Sequence, residues 1–263
     1  MKSIRKYGSK PYRIALLHGG PGAAGELKPV AENLAHEFGV LELLQSERSV
    51  STQLLELHKQ LSRQADLPVS LIGHSWGAWL AFLFAANYPD LVRQLILIGS
   101  GAFDEKYNKN LIDIRLSRLS QANREEAEYL LCKIHSGNTD NQTLRDFGRL
   151  MNLADSFDYE GNSQEQIELD MEIYQSVWPE ASKLRATKKL LHRAANISCP
   201  VVAIHGSYDP HPIDGVEQPL AALLPDFKMI RLNKCGHTPW FEKQASVQFF
   251  EILREELRKI DYL

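Results

Sequence analysis

Short apolar runs punctuate the chain at regular intervals. They are Ile14-Ala-Leu-Leu17, Val40 to Leu44, Val69-Ser-Leu-Ile72, Leu95-Ile-Leu-Ile98, Val201-Val-Ala-Ile204 and Met229-Ile-Arg-Leu232. Runs of this length between turn-forming residues read as strands. The third, fourth and fifth are almost continuously apolar, which suits strands covered on both faces by helices. Helix-length segments lie between them, at Glu26–Phe38, Val50–Gln64 and Ala78–Asn87. Strand–helix alternation predicts an α/β protein with a mostly parallel central sheet, right-handed crossovers and flanking helices.

One stretch breaks the alternation. From 102 to 196 no strand is evident and helical periods dominate. Ile112, Leu116 and Leu119 share one helical face, and Ile167, Met171, Tyr174 and Trp178 share another. Ser163-Gln-Glu-Gln166 has the form of a capping box that would open the second helix. The expected organisation is a core of 1–101 and 197–263, with an all-helical cap inserted at 102–196. The 167–178 stripe packs the cap on the core, or its Tyr174 and Trp178 roof a pocket.

Composition narrows the function class. The chain has 263 residues, 44% of them hydrophobic, and a net charge of −3. That is enough apolar content for a large core and too much for disorder. A pI near 6.3 gives no case for a nucleic-acid partner, since such binders usually carry a basic patch. No run approaches the ~20 apolar residues of a membrane span. The basic start MKSIRKYGSKPYR is not followed by the apolar segment of an export signal. Three cysteines, Cys132, Cys199 and Cys235, cannot all pair and read as free thiols. A cytoplasmic protein is expected.

The candidate chemistry lies just past the strand ends. Gly73-His-Ser-Trp-Gly77 follows an apolar strand and precedes a helix, the context a G-x-S-x-G nucleophile elbow requires. There the turn projects the Ser75 hydroxyl out of the sheet, and only small residues fit two places before and after it. His18-Gly-Gly-Pro-Gly22 follows the first of the apolar runs. Acyl transfer builds negative charge on a carbonyl oxygen, and two backbone N–H groups stabilise it. Trp76 and Gly20 are the candidates for that oxyanion hole. Asp209 follows the strand at 201–204, and His237 follows the strand at 229–232. The order Ser75, Asp209, His237 is the one this topology expects for nucleophile, orienting acid and general base.

Other residues have weaker claims. Asp104 and Asp214 are alternative acids. His205 and His211 bracket Asp209, but no cluster shows a recognisable metal spacing. No metal or cofactor is called for. His18 and His74 flank the two motifs, and Phe103 and Trp240 lie near the catalytic loops. With Tyr174 and Trp178 they are the candidate lining of an apolar pocket.

Taken together, these four ordered motifs resemble the α/β-hydrolase superfamily, over about 1–101 and 197–263. The resemblance implies a serine hydrolase with a cap domain acting on a small molecule or short peptide. His-Gly-Gly-Pro-Gly and the serine flanked by Trp76 look most like the proline iminopeptidase branch. That branch's elbow commonly reads G-G-S-W-G, and here His74 takes the second place. The branch also has leading antiparallel strands, for which few residues precede Tyr12. It needs cap acids to hold a substrate ammonium. Glu165, Glu168, Asp170 and Glu172 lie on one expected cap helix, at spacings that also suit a solvated face. Carbon–carbon bond hydrolysis by the same triad, and a ligand binder of the same fold, are the competing readings. Epoxide hydrolases of this fold resemble the chain less, because their nucleophile is an aspartate where Ser75 stands here.

Overall fold

A computed structural model describes residues 3–137, 139–161 and 167–261. In chain order the first half contains β1 (Ile4–Tyr7), β2 (Tyr12–Leu17), β3 (Ala23–Ala24), α1 (Lys28–Leu34), β4 (Gly39–Leu43), α2 (Val50–Gln64), β5 (Val69–His74), α3 (Trp76–Asn87) and β6 (Val92–Ile98). An inserted segment follows, with α4 (Leu111–Ser117), α5 (Gln121–His135), α6 (Asn141–Asp155), β7 (Glu168–Leu169), α7 (Met171–Ala186) and α8 (Lys189–His192). The chain then returns to the sheet with β8 (Val201–Gly206), α9 (Asp214–Leu223), β9 (Phe227–Leu232) and α10 (Ser246–Asp261).

The seven long strands form one sheet in the order β1-β4-β2-β5-β6-β8-β9. Every pairing is parallel except β1 with β4. The chain leaves β2 toward β4 on one side and returns to β5 on the other. This reversal opens a crevice at the carboxyl ends of β2 and β5, where open α/β sheets bind ligands. The loops carrying Gly20 and Ser75 start from those two strand ends.

Apolar burial on both faces holds the sheet. Ile14, Leu16, Ile72, Ile96 and Ile204 pack with Leu34 of α1 and with Phe249, Leu253 and Leu257 of α10. Leu17, Leu71 and Leu97 pack on the opposite face with α2 and α3. Helix α3 is apolar all round and buried along almost its whole length, which places it between the sheet and other helices. Ile173, Val177 and Ala181 of α7 join this second cluster, so α7 is tied to the body. Helices α4, α5 and α6 close a small core of their own around Leu116, Ala127, Leu130, Leu150 and Met151.

Two features differ from the sequence reading. The inserted segment is not purely helical: β7 pairs antiparallel with β3, Ala23 opposite Leu169. The short Gly22–Ala24 stretch has backbone groups to satisfy, and Asp170 N–H also donates to Gly22 O at 2.8 Å. Helix α7 begins at Met171, after Ile167, and Asp170 caps it by accepting from Ile173 N–H at 3.1 Å. The capping box at 163–166 lies outside the described residues. One leading strand, β1, is present. Among the described residues no helix is long and apolar enough to cross a membrane.

Candidate active site

Strand β5 passes into α3 through Ser75, which has φ 52° and ψ −115°. A positive φ at a residue with a side chain is strained and must be held by its surroundings. Packing enforces it. A Cβ on Gly73 would lie 2.1 Å from Gly77 O, and one on Gly77 would lie 2.3 Å from Leu17 O. Ser75 N–H donates to Ile98 O at 3.0 Å and pins the turn to β6. Ser75 is half-buried, and its Oγ has no hydrogen-bond partner among the described residues. It lines a cavity of about 610 Å³ between the sheet's carboxyl end and the inserted helices.

Gly20 and Trp76 line the same cavity. Neither backbone N–H is engaged in a hydrogen bond among the described residues. Gly20 has φ +39°, a conformation that suits glycine. The loop around it is fixed from behind. Gly19 N–H donates to Glu26 Oε2 at 2.6 Å, and His18 Nδ1 meets Gly19 O at 2.8 Å. Gln45 N–H donates to His18 Nε2, so the His18 proton sits on Nδ1. Burial holds the His18 pKa below the ordinary histidine value. Glu26 also faces His74, with Nδ1 at 3.0 Å, and His74 Nε2 reaches His237 O at 3.0 Å. Burial pushes the Glu26 carboxyl up, but His74 and the Gly19 N–H outweigh it and hold it below its usual range. The Gly20 loop, the elbow and the His237 backbone are thus joined through one carboxylate and one imidazole.

Asp209 and His237 meet at the far ends of β8 and β9. His237 Nδ1 lies 2.7 Å from Asp209 Oδ2. The other oxygen, Oδ1, takes His211 Nδ1 at 2.7 Å and His211 N–H at 2.9 Å. His205 Nε2 donates to His211 O at 3.0 Å and lies 3.5 Å from Asp209 Oδ2. Burial pushes the Asp209 carboxyl up, but the three imidazoles overcome it and hold it well below the usual carboxylate range. Burial pulls His237 down, and Asp209 more than offsets this, so its pKa is raised. His211 is lowered to about 4, chiefly by burial. Asp104 is engaged elsewhere: it accepts Lys106 N–H at 3.1 Å and faces Lys188 Nζ. Asp214 opens α9. Asp209, His211 and His237 also form a compact group of potential metal ligands. Their facing atoms are 2.7 Å apart, a distance filled by a proton rather than an ion.

The inserted helices supply the opposite wall of the cavity. Trp79 and Tyr174 flank Trp178 in a near-parallel ladder, with centroid spacings of 6.2 Å on each side. All three line the cavity. Arg115 also lines it and forks onto Asp155, Nε to Oδ1 at 2.8 Å and Nη2 to Oδ2 at 2.5 Å. Asp155 O in turn accepts His237 N–H at 2.9 Å. Arg185 lies over the Trp79 ring and donates to Glu105 at 2.6 Å. The lining is therefore mixed rather than apolar.

Four expected pocket residues lie outside this wall. Phe103 is fully buried, edge-on to Phe82, because its apolar ring completes the core on the α3 side. Trp240 packs on Phe249 and backs His74. His18 and His74 are buried behind the loops they brace. The cap acids are placed elsewhere too. Glu168 binds Arg5, Glu172 pairs with Arg48, Asp170 caps α7, and Glu165 lies outside the described residues. Four residues were missed in the sequence, Glu26, Arg115, Asp155 and Glu242, and His211, weighed there only for metal ligation, is instead a second imidazole on Asp209. Buried Glu242 accepts the N–H groups of Gly236 at 2.8 Å, Phe157 at 3.0 Å and Asp158 at 2.8 Å, so it ties the His237 loop to the end of α6. Arg115 and Asp155 lie 40 residues apart, and Glu242 reaches back to Phe157 and Asp158, so no local pattern marks these contacts.

The family model described as alpha/beta hydrolase fold matches residues 64–244, and the chain belongs to that family. Among solved structures it is similar to VinJ, with a TM-score of 0.71 and 20% identity over 98% of this chain and 94% of that one. Proline iminopeptidase from Mycobacterium smegmatis gives 0.65 and 16%, over 98% and 95%. These likenesses establish the fold. A soluble epoxide hydrolase from Corynebacterium sp. (strain C12) is 32% identical over 97 residues. That match spans 33% of this chain and 34% of the epoxide hydrolase.

Proposed function

We propose that the protein is a serine hydrolase that cleaves a small-molecule ester, amide or related acyl bond through an acyl-enzyme on Ser75. The observation that carries this reading is the 2.7 Å contact between His237 and Asp209, with His237 and Ser75 on the wall of one cavity. His237 Nε2 takes the Ser75 proton as Oγ attacks the substrate carbonyl. The Asp209 carboxylate fixes the proton on Nδ1 and stabilises the imidazolium that forms. The N–H groups of Gly20 and Trp76 receive the developing oxyanion. His237 then protonates the leaving group, and water enters along the same path to release the acid.

The site supports this reading over its neighbours' chemistry. Ser75 stands where an epoxide-opening member of the fold carries aspartate. Among the described residues, the acids that line the cavity do not offer a free ammonium seat of the aminopeptidase kind: Glu26 and Asp155 are already paired, and Asp113 is exposed on α4.

Turnover of p-nitrophenyl esters by single and double variants tests the shared mechanism. Ser75→Ala and His237→Ala should each lower kcat by about 10³-fold or more, and the double variant should be no worse than either. Losses that multiply in the double variant would contradict it.

A further inference from the structure

Asp209 accepts from one more imidazole than its proposed role requires. His237 Nδ1 sits on one carboxylate oxygen and His211 Nδ1 on the other, each at 2.7 Å. The two rings lie 4.5 Å apart and are inclined by only 31°. Both residues line the catalytic cavity. With Nδ1 of each ring turned to the same carboxylate, each Nε2 lies on the far side of its ring from the carboxylate, and both side chains border the cavity. His211 Nε2 has no hydrogen-bond partner among the described residues. Its Nδ1 proton is committed to a carboxylate, so Nε2 of the neutral ring is a lone-pair acceptor.

The position of this acceptor relative to the chemistry follows from the serine hydrolase reading, on which the inference rests. His237 Nε2 hands its proton to the departing atom, so the leaving group exits on the His237 side. His211 Nε2 stands next to that exit. We propose that His211 is a specificity-determining residue, accepting a hydrogen bond from a hydroxyl or N–H that the leaving group carries beside its departing atom. The substrates this favours are esters whose alcohol half bears a second hydroxyl. A leaving group without such a donor would cover the partly exposed acceptor and leave it unpaired, which is where discrimination between near-isosteres arises.

The test compares 2-hydroxyethyl butyrate with propyl butyrate, which share an acyl group and differ by one hydroxyl in place of a methyl. Fluorophosphonate labelling of wild-type Ser75 is measured alongside. The wild type should favour the hydroxyethyl ester by about tenfold in kcat/KM, the worth of one well-made hydrogen bond. His211→Asn keeps an N–H near the Nδ1 position and places nothing at Nε2, and its ratio should fall to near unity. His211→Gln reaches the Nε2 position with an amide, and part of the preference should survive. Equal kcat/KM values in a wild type that labels at Ser75 would overturn the inference alone. A preference that persists in His211→Asn would do the same. A wild type that does not label at Ser75 would overturn the serine hydrolase reading, and this inference with it.

Discussion

A single buried carboxylate sets the chemistry of the candidate site at the residue scale. Asp209 raises the pKa of His237 even though burial of the ring works the other way. A general base must be neutral to act, so the acid limb of kcat/KM should have its midpoint above the ordinary histidine value of about 6.5. In Asp209→Asn the limb should move to lower pH and kcat should fall by up to about 10⁴-fold. A pH–rate profile for each protein checks both, and a limb left in place would contradict the assignment. Asp104→Asn should leave the profile unchanged, since that side chain caps a short turn instead. Ser75, Asp209 and His237 were legible in the sequence because each follows a strand, and strand ends are visible as apolar runs. The role of His211 was not, because a histidine two places beyond an aspartate shows no contact until the loop folds it back onto Oδ1. Arg115 and Asp155 stayed hidden for a related reason: their bidentate pairing joins separate helices of the inserted segment.

At the scale of elements, the elbow and the His237 loop are held by contacts with little slack. Gly77→Ala would place a methyl 2.3 Å from the Leu17 carbonyl, which is backbone and cannot swing aside. Urea unfolding should show a loss of roughly 3 kcal/mol, the upper end of overpacking costs. Glu242→Ala should remove the acceptor of three backbone N–H groups, one of them on the residue before His237. A loss of roughly 3 kcal/mol or more follows from leaving buried donors unpaired, with kcat falling as the loop loosens. An Ala variant of wild-type stability and rate would show that the loop is held by other contacts. Strands β2, β4, β5, β6, β8 and β9 and the first three helices follow directly from period and apolar content, whereas β1, the half-polar Ile4–Tyr7, does not. Strands β3 and β7 do not, since two residues each are too short for any period. They exist because the inserted segment pairs with the Gly22–Ala24 backbone, Ala23 opposite Leu169 and Asp170 N–H on Gly22 O.

The whole molecule couples the inserted segment to the loops of the candidate site by polar contacts as well as by the α7 packing. Arg115→Ala would leave Asp155 buried without its cation. Breaking such a pair costs roughly 3–5 kcal/mol, and unfolding by denaturant should show a loss of that order. Global stability should also depend on pH through His211. Its folded pKa of about 4 lies below the unfolded value. Between pH 4 and about 6.5 the unfolded chain binds more protons, so stability should rise with pH across that window, by on the order of 3 kcal/mol. Urea unfolding across this range should show a flatter dependence in His211→Asn. The raised His237 pKa acts elsewhere, adding stability that is lost as pH climbs through its folded value. The most direct test of the central claim is fluorophosphonate labelling of the wild type and Ser75→Ala, read by mass spectrometry of the intact chain and its peptides. One adduct per chain, located on Ser75 and absent from the variant, is the predicted result. A folded wild type that takes no adduct, or takes it on another residue, would contradict an activated serine at the elbow.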